Sequence, residues 1–552
     1  MLLYSRHYFR FFLAITFISN INSTSVSSCK CSPSDSCWPS PTTWASLNGT
    51  VSGRLLPTIL PKAVCPQGGA ASETWVVHAT DATDVQAALR FATEHNLKVN
   101  VNNTGHAGAG RSSTCGALFI ATGSMKSLEF HESYIPRGCS EDRSHMAATL
   151  GAGAQDDETF PALAEHNAVT VGGTYSTVGI VGWATGGGHG WLTSSYGMGA
   201  DNIFEVEIVT PDGQILVANE CQNTDIFWAT RGGGGGTYGV ITSITMKAYP
   251  MPQTTVWLWN VAGKNDTSSA DWWHFVARFH AKLPALKEQG FQGFYTIAGP
   301  AEGPLFMGGY FMAYEKSNDT VRHAIQTILE DANNSTILAQ VSSNVTRYDA
   351  WIDAYSELPK QVATSSEGGG DTISSTRLLT KDGLTDDIGA LARMFEAIGP
   401  QAEDSANGLS SHIIAGSFIA SSKPVDNALN PAWRDAAVHM IVKSAWNEAL
   451  PKDKVQQILD NNSNGTGRAM RQLSPDSGCY LNECDKFEPN WQWAMYGPNY
   501  SRLRAIKAKY DPNSVLWCRR CVGSDEWAYS DGDGSLCRRS AQDIWPNFAY
   551  KT

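Results

Sequence analysis

The chain has 552 residues, more than one compact domain usually holds, and its 42% hydrophobic content supplies a sizeable core. A net charge of −12 excludes a phosphate-binding surface of the kind nucleic acids or anionic membranes need, because those partners require clustered Lys and Arg. The 51 glycines and 18 tryptophans fit a backbone packed closely against a bulky ligand, although glycine also serves ordinary turns.

In chain order, Arg6 and Arg10 precede the apolar run FFLAITFI and a small-residue stretch, so residues 1–25 read as an export signal too short to anchor in a membrane. No later run offers roughly 18 uninterrupted apolar residues. The mature protein is expected to be secreted, and sequons at Asn48, Asn265, Asn318, Asn344, Asn464 and Asn499 agree. Twelve cysteines in an exported chain read as disulfides, with undetermined connectivity. Residues 26–69 form a cysteine-rich opening segment. Cys479, Cys484, Cys518 and Cys521 have a spacing that also suits a zinc ribbon, but an oxidising compartment and the lack of a completing histidine weigh against it, and no metal is expected.

From residue 70 the pattern becomes strand (Trp75 to Thr80), then a helix carrying Val85, Ala88, Leu89 and Ala92 behind a capping pair Thr83 and Gln86, then the strand KVNVN. That strand delivers the chain into NNTGHAGAGRSS, a glycine-rich loop where backbone N–H groups would cradle phosphate. It is not a dinucleotide fingerprint, because GxGxxG opening a helix is absent. A second unit follows, with HMAATLGAG as strand, DDETFPALAEHN as helix and AVTVGG as strand. The next stretch, GGTYSTVGIVGWATGGGHG, holds too many glycines for a regular element and is the second candidate ligand loop. IFEVEIVT and QILVAN flank PDG as a hairpin, and DIFWATRGGGGGTYG leads through a short helix to a closing strand.

Residues 254–470 change character: VWLWNV, the amphipathic helix DWWHFVARFHAKLPAL, then strands FQGFYTIAG and LFMGGYFMAYE, a helix-rich stretch, and the strand AAVHMIVKSAW. This order predicts a separate α+β unit with a mixed or antiparallel sheet covered on one face. Thr364 to Ser375 reads as a flexible surface loop. In residues 471–552, Tyr480 and Asn482 stand two apart on a predicted strand, hence on one face, and RLRAIKAKYDP reads as a helix ended by proline.

These stretches together resemble the PCMH-type FAD-binding (vanillyl-alcohol-oxidase) superfamily, in its berberine-bridge-enzyme-like branch with the fungal secreted FAD-linked oxidoreductases. The resemblance is carried by CxCxxxxxCWPSxxxW, NNTGHAGAGRSS, TVGxVG, GGGHG, YLNECD and YGPNYSRLRAIKAKYDPNSV, in that order over most of the mature chain. It implies an α+β fold: a two-part FAD domain from residues 70–253 and 471–552, and a substrate cap from residues 254–470. It also implies a cofactor, FAD, bonded through His106 of the TGH loop. A lone histidine is otherwise more often structural. Relatives bonded twice carry a cysteine where this sequence has Tyr175, so a single link is expected, with Tyr175 either a wall of the flavin site or a packed aromatic. A second departure is the brief interval from Cys65 to Glu73, where similar proteins often carry a longer segment.

The candidate cofactor residues are Asn103, Thr104, Gly105, His106, Gly108, Gly110, Arg111, Ser112, Gly173, Thr177, Val178, Gly179, Gly182, Gly186, Gly187, Gly188, His189, Val240 and Asn482. His189 is equally readable as a structural histidine. The expected reaction is hydride transfer from a small-molecule alcohol or similar donor to flavin, with a base removing a proton and O2 as acceptor. Tyr480 and His439 are the first candidates for that base, and Lys443 shares a strand face with His439. A flavin dehydrogenase or cyclase uses the same cofactor and differs in oxygen consumption. A secreted glycan-binding protein would explain the tryptophans but not three glycine-rich segments, and a hydrolase would need a nucleophile setting such as GxSxG, which is absent.

Overall fold

A computed structural model describes residues 29–60, 65, 73–301, 303–358, 370–418, 425–530 and 533–539. The expected export signal lies outside them.

The first sheet has four strands in the order Leu55–Ile59, Glu73–His78, Leu118–Ala121, Val99–Asn102, the last three parallel. Parallel neighbours need a crossover, and helix Ala82–Glu94 supplies it, burying Val85, Ala88, Leu89 and Ala92. Its N-cap is Asp81, which accepts from the backbone N–H of Thr83 and Asp84. The predicted Thr83–Gln86 pair is not the cap, because Gln86 is drawn away to the carbonyl of Gly213. The C-terminal segment returns to this sheet: Val99 N–H donates to Val515 O at 2.7 Å, and Trp517 N–H to Val99 O at 3.2 Å.

The second sheet is antiparallel, in the order Leu128–Tyr134, His145–Gly151, Val240–Lys247, Ile203–Val209, Ile215–Asn219. The IFEVEIVT and QILVAN hairpin forms as read. AVTVGG contributes only Ala168–Val169, paired with Tyr249–Pro250. The glycine-rich second loop does contain a regular element, helix Ile180–Thr185, with Gly182 inside it.

The third sheet has seven strands in the order Leu338–Tyr348, Thr254–Gly263, Phe306–Tyr314, Gln292–Ala298, Leu409–Phe418, Ala436–Asn447, Gly370–Thr380. Every pairing is antiparallel. Side chains alternate between its faces. Trp257, Trp259, Tyr295, Phe311, Val438 and Met440 join the core that helices Ser269–Glu288, Asn318–Asn333 and Ile388–Ile398 cover. Val256, Phe294, Tyr310, Met312 and Tyr314 belong instead to the core of the first two sheets. The sheet is therefore covered on both faces, not one. The predicted loop over Thr364 to Ser375 is corrected from Gly370 onward, where an edge strand runs and Ser375 is buried; residues 364–369 lie outside the described residues. A stretch of Gly, Ser and Thr gives no apolar alternation by which to read a strand.

All twelve cysteines pair: Cys29–Cys537, Cys31–Cys37, Cys65–Cys115, Cys139–Cys221, Cys479–Cys484 and Cys518–Cys521. The four sulfurs of the zinc-ribbon spacing are thus consumed in two local bridges. Among the described residues no helix is long and apolar enough to cross a membrane.

One ion pair pins the seven-stranded unit to the rest. Arg434 donates from both terminal nitrogens to the two oxygens of buried Asp201, each at 2.7 Å, and Asn427 Nδ2 adds a bond at 2.7 Å. Removing one partner of such a pair strands the other charge out of water. Arg434→Ala is expected to lose about 3 kcal/mol of unfolding free energy, read by denaturant titration, and the double variant Arg434→Met/Asp201→Asn to lose less. Equal stability of Arg434→Ala and the unmodified protein would contradict this role.

Candidate active site

A cavity opens where four segments converge: the loop after strand Val99–Asn102, the loop and helix around Gly173 to Trp183, the turn at Gly235 and Gly236, and Tyr480 to Glu483. Asn103, Thr104, Gly105, His106, Arg111, Ser112, Gly173, Val178, Gly179, Gly182, His189, Tyr480 and Asn482 line it, as does Tyr175.

Close contacts hold the walls. Thr104 Oγ1 accepts from Gly179 N–H at 3.3 Å, which seats the first loop on the second. A Cβ on Gly179 would lie 2.7 Å from Asn103 Nδ2, so this approach requires glycine. His106 Nε2 is 2.9 Å from Thr177 Oγ1, and its ring centroid is 6.2 Å from that of Tyr175. Thr177 thus sits behind His106 and not on the wall. Arg111, 7% exposed, reaches Asn482 Oδ1, Gly235 O and Cys521 Sγ, each at 3.4 Å.

Tyr480 and Asn482 do meet, with Asn482 Nδ2 donating to Tyr480 Oη at 2.8 Å, but not on a strand. Glu483 and Cys484 N–H both return to Tyr480 O, and the Cys479–Cys484 bridge closes that turn. Asn482 Nδ2 also donates to Gly182 O at 3.0 Å, while Tyr480 Oη donates to Trp183 O at 3.4 Å.

Several expected wall residues are elsewhere. Gly186, Gly187 and Gly188 sit where other segments press in: a Cβ would meet Asn482 Nδ2 at 2.7 Å, Leu429 Cδ1 at 3.1 Å and Gly199 Cα at 2.9 Å respectively. Val240 is fully buried, and Ile241 is the strand residue at the cavity. Gly108 and Gly110 belong to the first loop without lining the opening, Gly108 lying against the backbone of Asn482.

His439 is fully buried on the strand Ala436–Asn447, its side chain turned toward the cavity end. Its ring centroid lies 4.8 Å from that of His189. Burial, then His189, pushes His439 down to about 3. Burial, then the Glu483 charge, pushes the Tyr480 phenol far up. Sequence reasoning missed Glu483, whose signal was only its place beside Asn482 in YLNECD. It lines the cavity, 32% exposed, with Oε1 3.6 Å from His189 Nε2 and Oε2 3.9 Å from His439 Nδ1. Burial works against its charge, but His189, His439 and Lys443 together hold its carboxyl below the ordinary value.

The wall suits a flavin nucleotide. Arg111 Nε and Asn103 Oδ1 are buried without protein partners, and outside its chain neighbours and its own helix backbone no atom lies within 4 Å of where a Gly182 Cβ would point. Both features leave polar contacts and room for a large polar group at this wall.

Residues 74–219 match the family described as FAD binding domain, and residues 479–522 the family described as berberine and berberine like. An uncharacterized FAD-linked oxidoreductase of Arthroderma benhamiae is 30% identical over 578 residues, covering 92% of this chain and 96% of its own. The VAO-type flavoprotein oxidase VAO615 of Thermothelomyces thermophilus is 30% identical over 573 residues, covering 93% and 95%. The crystal structure of VAO-type flavoprotein MtVAO615 from Myceliophthora thermophila C1 superposes with a TM-score of 0.81 at 28% identity, over 93% of this chain and 100% of that one. By similarity over nearly its whole length, the chain belongs to the FAD-linked oxidoreductases of the vanillyl-alcohol-oxidase superfamily, in the berberine-bridge-enzyme-like branch, and is an FAD enzyme.

Proposed function

We propose that this protein is a secreted oxidase that moves hydride from a small-molecule alcohol to FAD bonded once, through His106, with O2 as the final acceptor. Residues 70–253 and 471–552 form the flavin-binding part, residues 254–470 the substrate cap, residues 26–69 a disulfide-rich opening segment, and residues 1–25 a removed signal. The observation that carries the reading is the position of His106: on the cavity wall, its Nε2 held by Thr177. A held ring edge fixes how the other nitrogen is turned.

FAD supplies a two-electron acceptor for hydride. The chain does the rest. Asn103, Thr104, Gly105, Arg111, Ser112, Gly173, Val178, Gly179 and Gly182 bind the cofactor, with Gly108 and Gly110 shaping the first loop, and Gly186 to Gly188 and Val240 supporting the wall from behind. Asn482 ties that wall to Tyr480. Tyr175, in the place of a second bonding cysteine, leaves a single link. Tyr480 keeps its proton, since burial and the nearby carboxylate both oppose its loss. Together with neutral His439 it serves to orient the substrate and keep water out. The name of the VAO615 relative, a flavoprotein oxidase, supports O2 as acceptor.

Acid precipitation should leave the flavin on one peptide, the one containing His106, and His106→Ala should release it to the supernatant. Flavin freed from the unmodified protein by acid would overturn the bond. Substrate-dependent peroxide release distinguishes an oxidase from a dehydrogenase or cyclase.

Secretion finds support in the six disulfides. Exposed Asn265, Asn344 and Asn464 are then the acceptors for N-glycans. Asn499 is not, because its Nδ2 donates to Ala428 O at 3.2 Å and Leu429 O at 3.1 Å. Glycosidase treatment of protein from a secretory host, followed by peptide mass measurement, should convert the first three to aspartate and leave Asn499 unchanged.

A further inference from the structure

Three side chains from three distant segments meet at the inner end of the cavity. His189 follows helix Ile180–Thr185, His439 comes from the seven-stranded sheet, and Glu483 from the disulfide-closed turn. The spacings of 3.6 Å from His189 Nε2 and 3.9 Å from His439 Nδ1 to the Glu483 oxygens exceed a hydrogen bond. His189 Nδ1, both His439 ring nitrogens and Glu483 Oε2 are buried with no partner in the protein. Such groups in a native site call for a ligand atom.

The size of the gap says which atom. Bonds of about 2.1 Å to a tetrahedral zinc would draw the donors to roughly 3.4 Å from one another. His189 and His439 here stand 3.6 and 3.9 Å from the Glu483 oxygens, wider than that. An oxygen atom at hydrogen-bond distance, about 2.8 Å from each, spans that spread.

We propose that Glu483 takes the hydroxyl proton of an alcohol substrate whose oxygen lies between Glu483, His189 and His439. The proposal rests on the hydride-transfer reading above. The O–H bond breaks and its proton passes to Glu483. The C–H pair leaves as hydride to the flavin, and the carbinol carbon, oxidised by two electrons, becomes a carbonyl. His189 and His439 are positioning residues. A neutral imidazole offers one donor and one acceptor, enough to hold the oxygen with its O–H directed at the carboxylate. The titratable groups facing Glu483 are His189, His439, Lys443, Tyr175 and Tyr480. His189, His439 and Lys443 favour its charge, and the two phenols remain protonated. Tyr175, Trp183 and Tyr480 beside the slot provide flat apolar walls, so the alcohol carries an apolar, ring-bearing body.

The test uses holoenzyme and two probes that differ in one proton donor. Phenol has the hydroxyl but no carbinol C–H to oxidise; anisole lacks the hydroxyl proton. Titrations followed by the flavin's visible spectrum should show phenol binding the unmodified enzyme at least tenfold more tightly than anisole. Glu483→Gln should bind the two alike, and Glu483→Asp should keep part of the preference. In anaerobic stopped flow with benzyl and cinnamyl alcohol, Glu483→Gln should slow flavin reduction about a hundredfold or more, with Glu483→Asp in between. Equal binding of the two probes by the unmodified enzyme, or an undiminished reduction rate in Glu483→Gln, overturns the proposal. Reduction by benzylamine but by neither alcohol overturns the substrate class and leaves hydride transfer standing; reduction by none of the three overturns both.

Discussion

The six residues from Cys479 to Cys484, closed into a ring by their disulfide, are the constraint on which the site depends. Several of the segments that line the cavity meet this ring. Asn482 bonds to Gly182 and to Arg111, its carbonyl receives Ala109 N–H, and Cys479 N–H is tied to Ala494 O. Just upstream, Gly478 O accepts from Leu378 in the edge strand of the seven-stranded sheet. The ring and the residue before it therefore touch the first loop, the second loop and the seven-stranded sheet at once. A short covalent loop restricts the unfolded chain as well as the folded one. Here it also sets Tyr480, Asn482 and Glu483 at fixed angles to one another, which hydrogen bonds in a free turn would hold less firmly.

The seven-stranded sheet supplies the complementary half. Because its residues alternate, one strand can bury Val438 and Met440 under helices while turning His439 and Lys443 the other way. The floor it presents to the first two sheets is aromatic. Tyr310 stacks on Trp191 with centroids 5.8 Å apart, and Phe294 stands near His189 at 6.3 Å. Rings of this kind bury large area with few rotamers, so the floor is stiff as well as apolar. An apolar, stiff floor strengthens the few charges placed on it.

How much of this the sequence disclosed follows from the range of each interaction. The crossover unit from Glu73 to Asn102 is legible because helix and strand periods are local, and the loop it feeds carries the wall residues Asn103, Thr104, Gly105, His106, Arg111 and Ser112. The cap differs from the expected Thr83–Gln86 pair because Gln86 is recruited by Gly213, far along the chain. The glycine run Gly186 to Gly188 suggests a ligand-facing wall, whereas these glycines admit Asn482, Leu429 and Gly199. Glycine density marks close approach, and it does not say whether the visitor is a cofactor or another part of the same chain. Tyr480 and Asn482 were rightly paired for a wrong reason, since a turn and not a pleat joins them. Glu483 was invisible: its meaning arises only when His189 and His439, each remote in sequence, are folded against it.

That dependence has a consequence for how the site is regulated by stability. His189 follows helix Ile180–Thr185, His439 belongs to the seven-stranded sheet and Glu483 to the disulfide-closed turn. None of the three parts holds the arrangement alone. The neighbours His189, His439 and Lys443 hold the Glu483 carboxyl below its ordinary value although burial opposes it, so a small separation of the seven-stranded unit from the cavity wall would let water in, screen those interactions and return Glu483 toward the behaviour of an ordinary surface acid. The Arg434–Asp201 pair lies at the same seam, with Trp433 packed 5.8 Å from the His189 ring. Docking of the seven-stranded unit and the environment of Glu483 are therefore linked, and a substitution that loosens the seam alters that environment without changing any residue that lines the cavity.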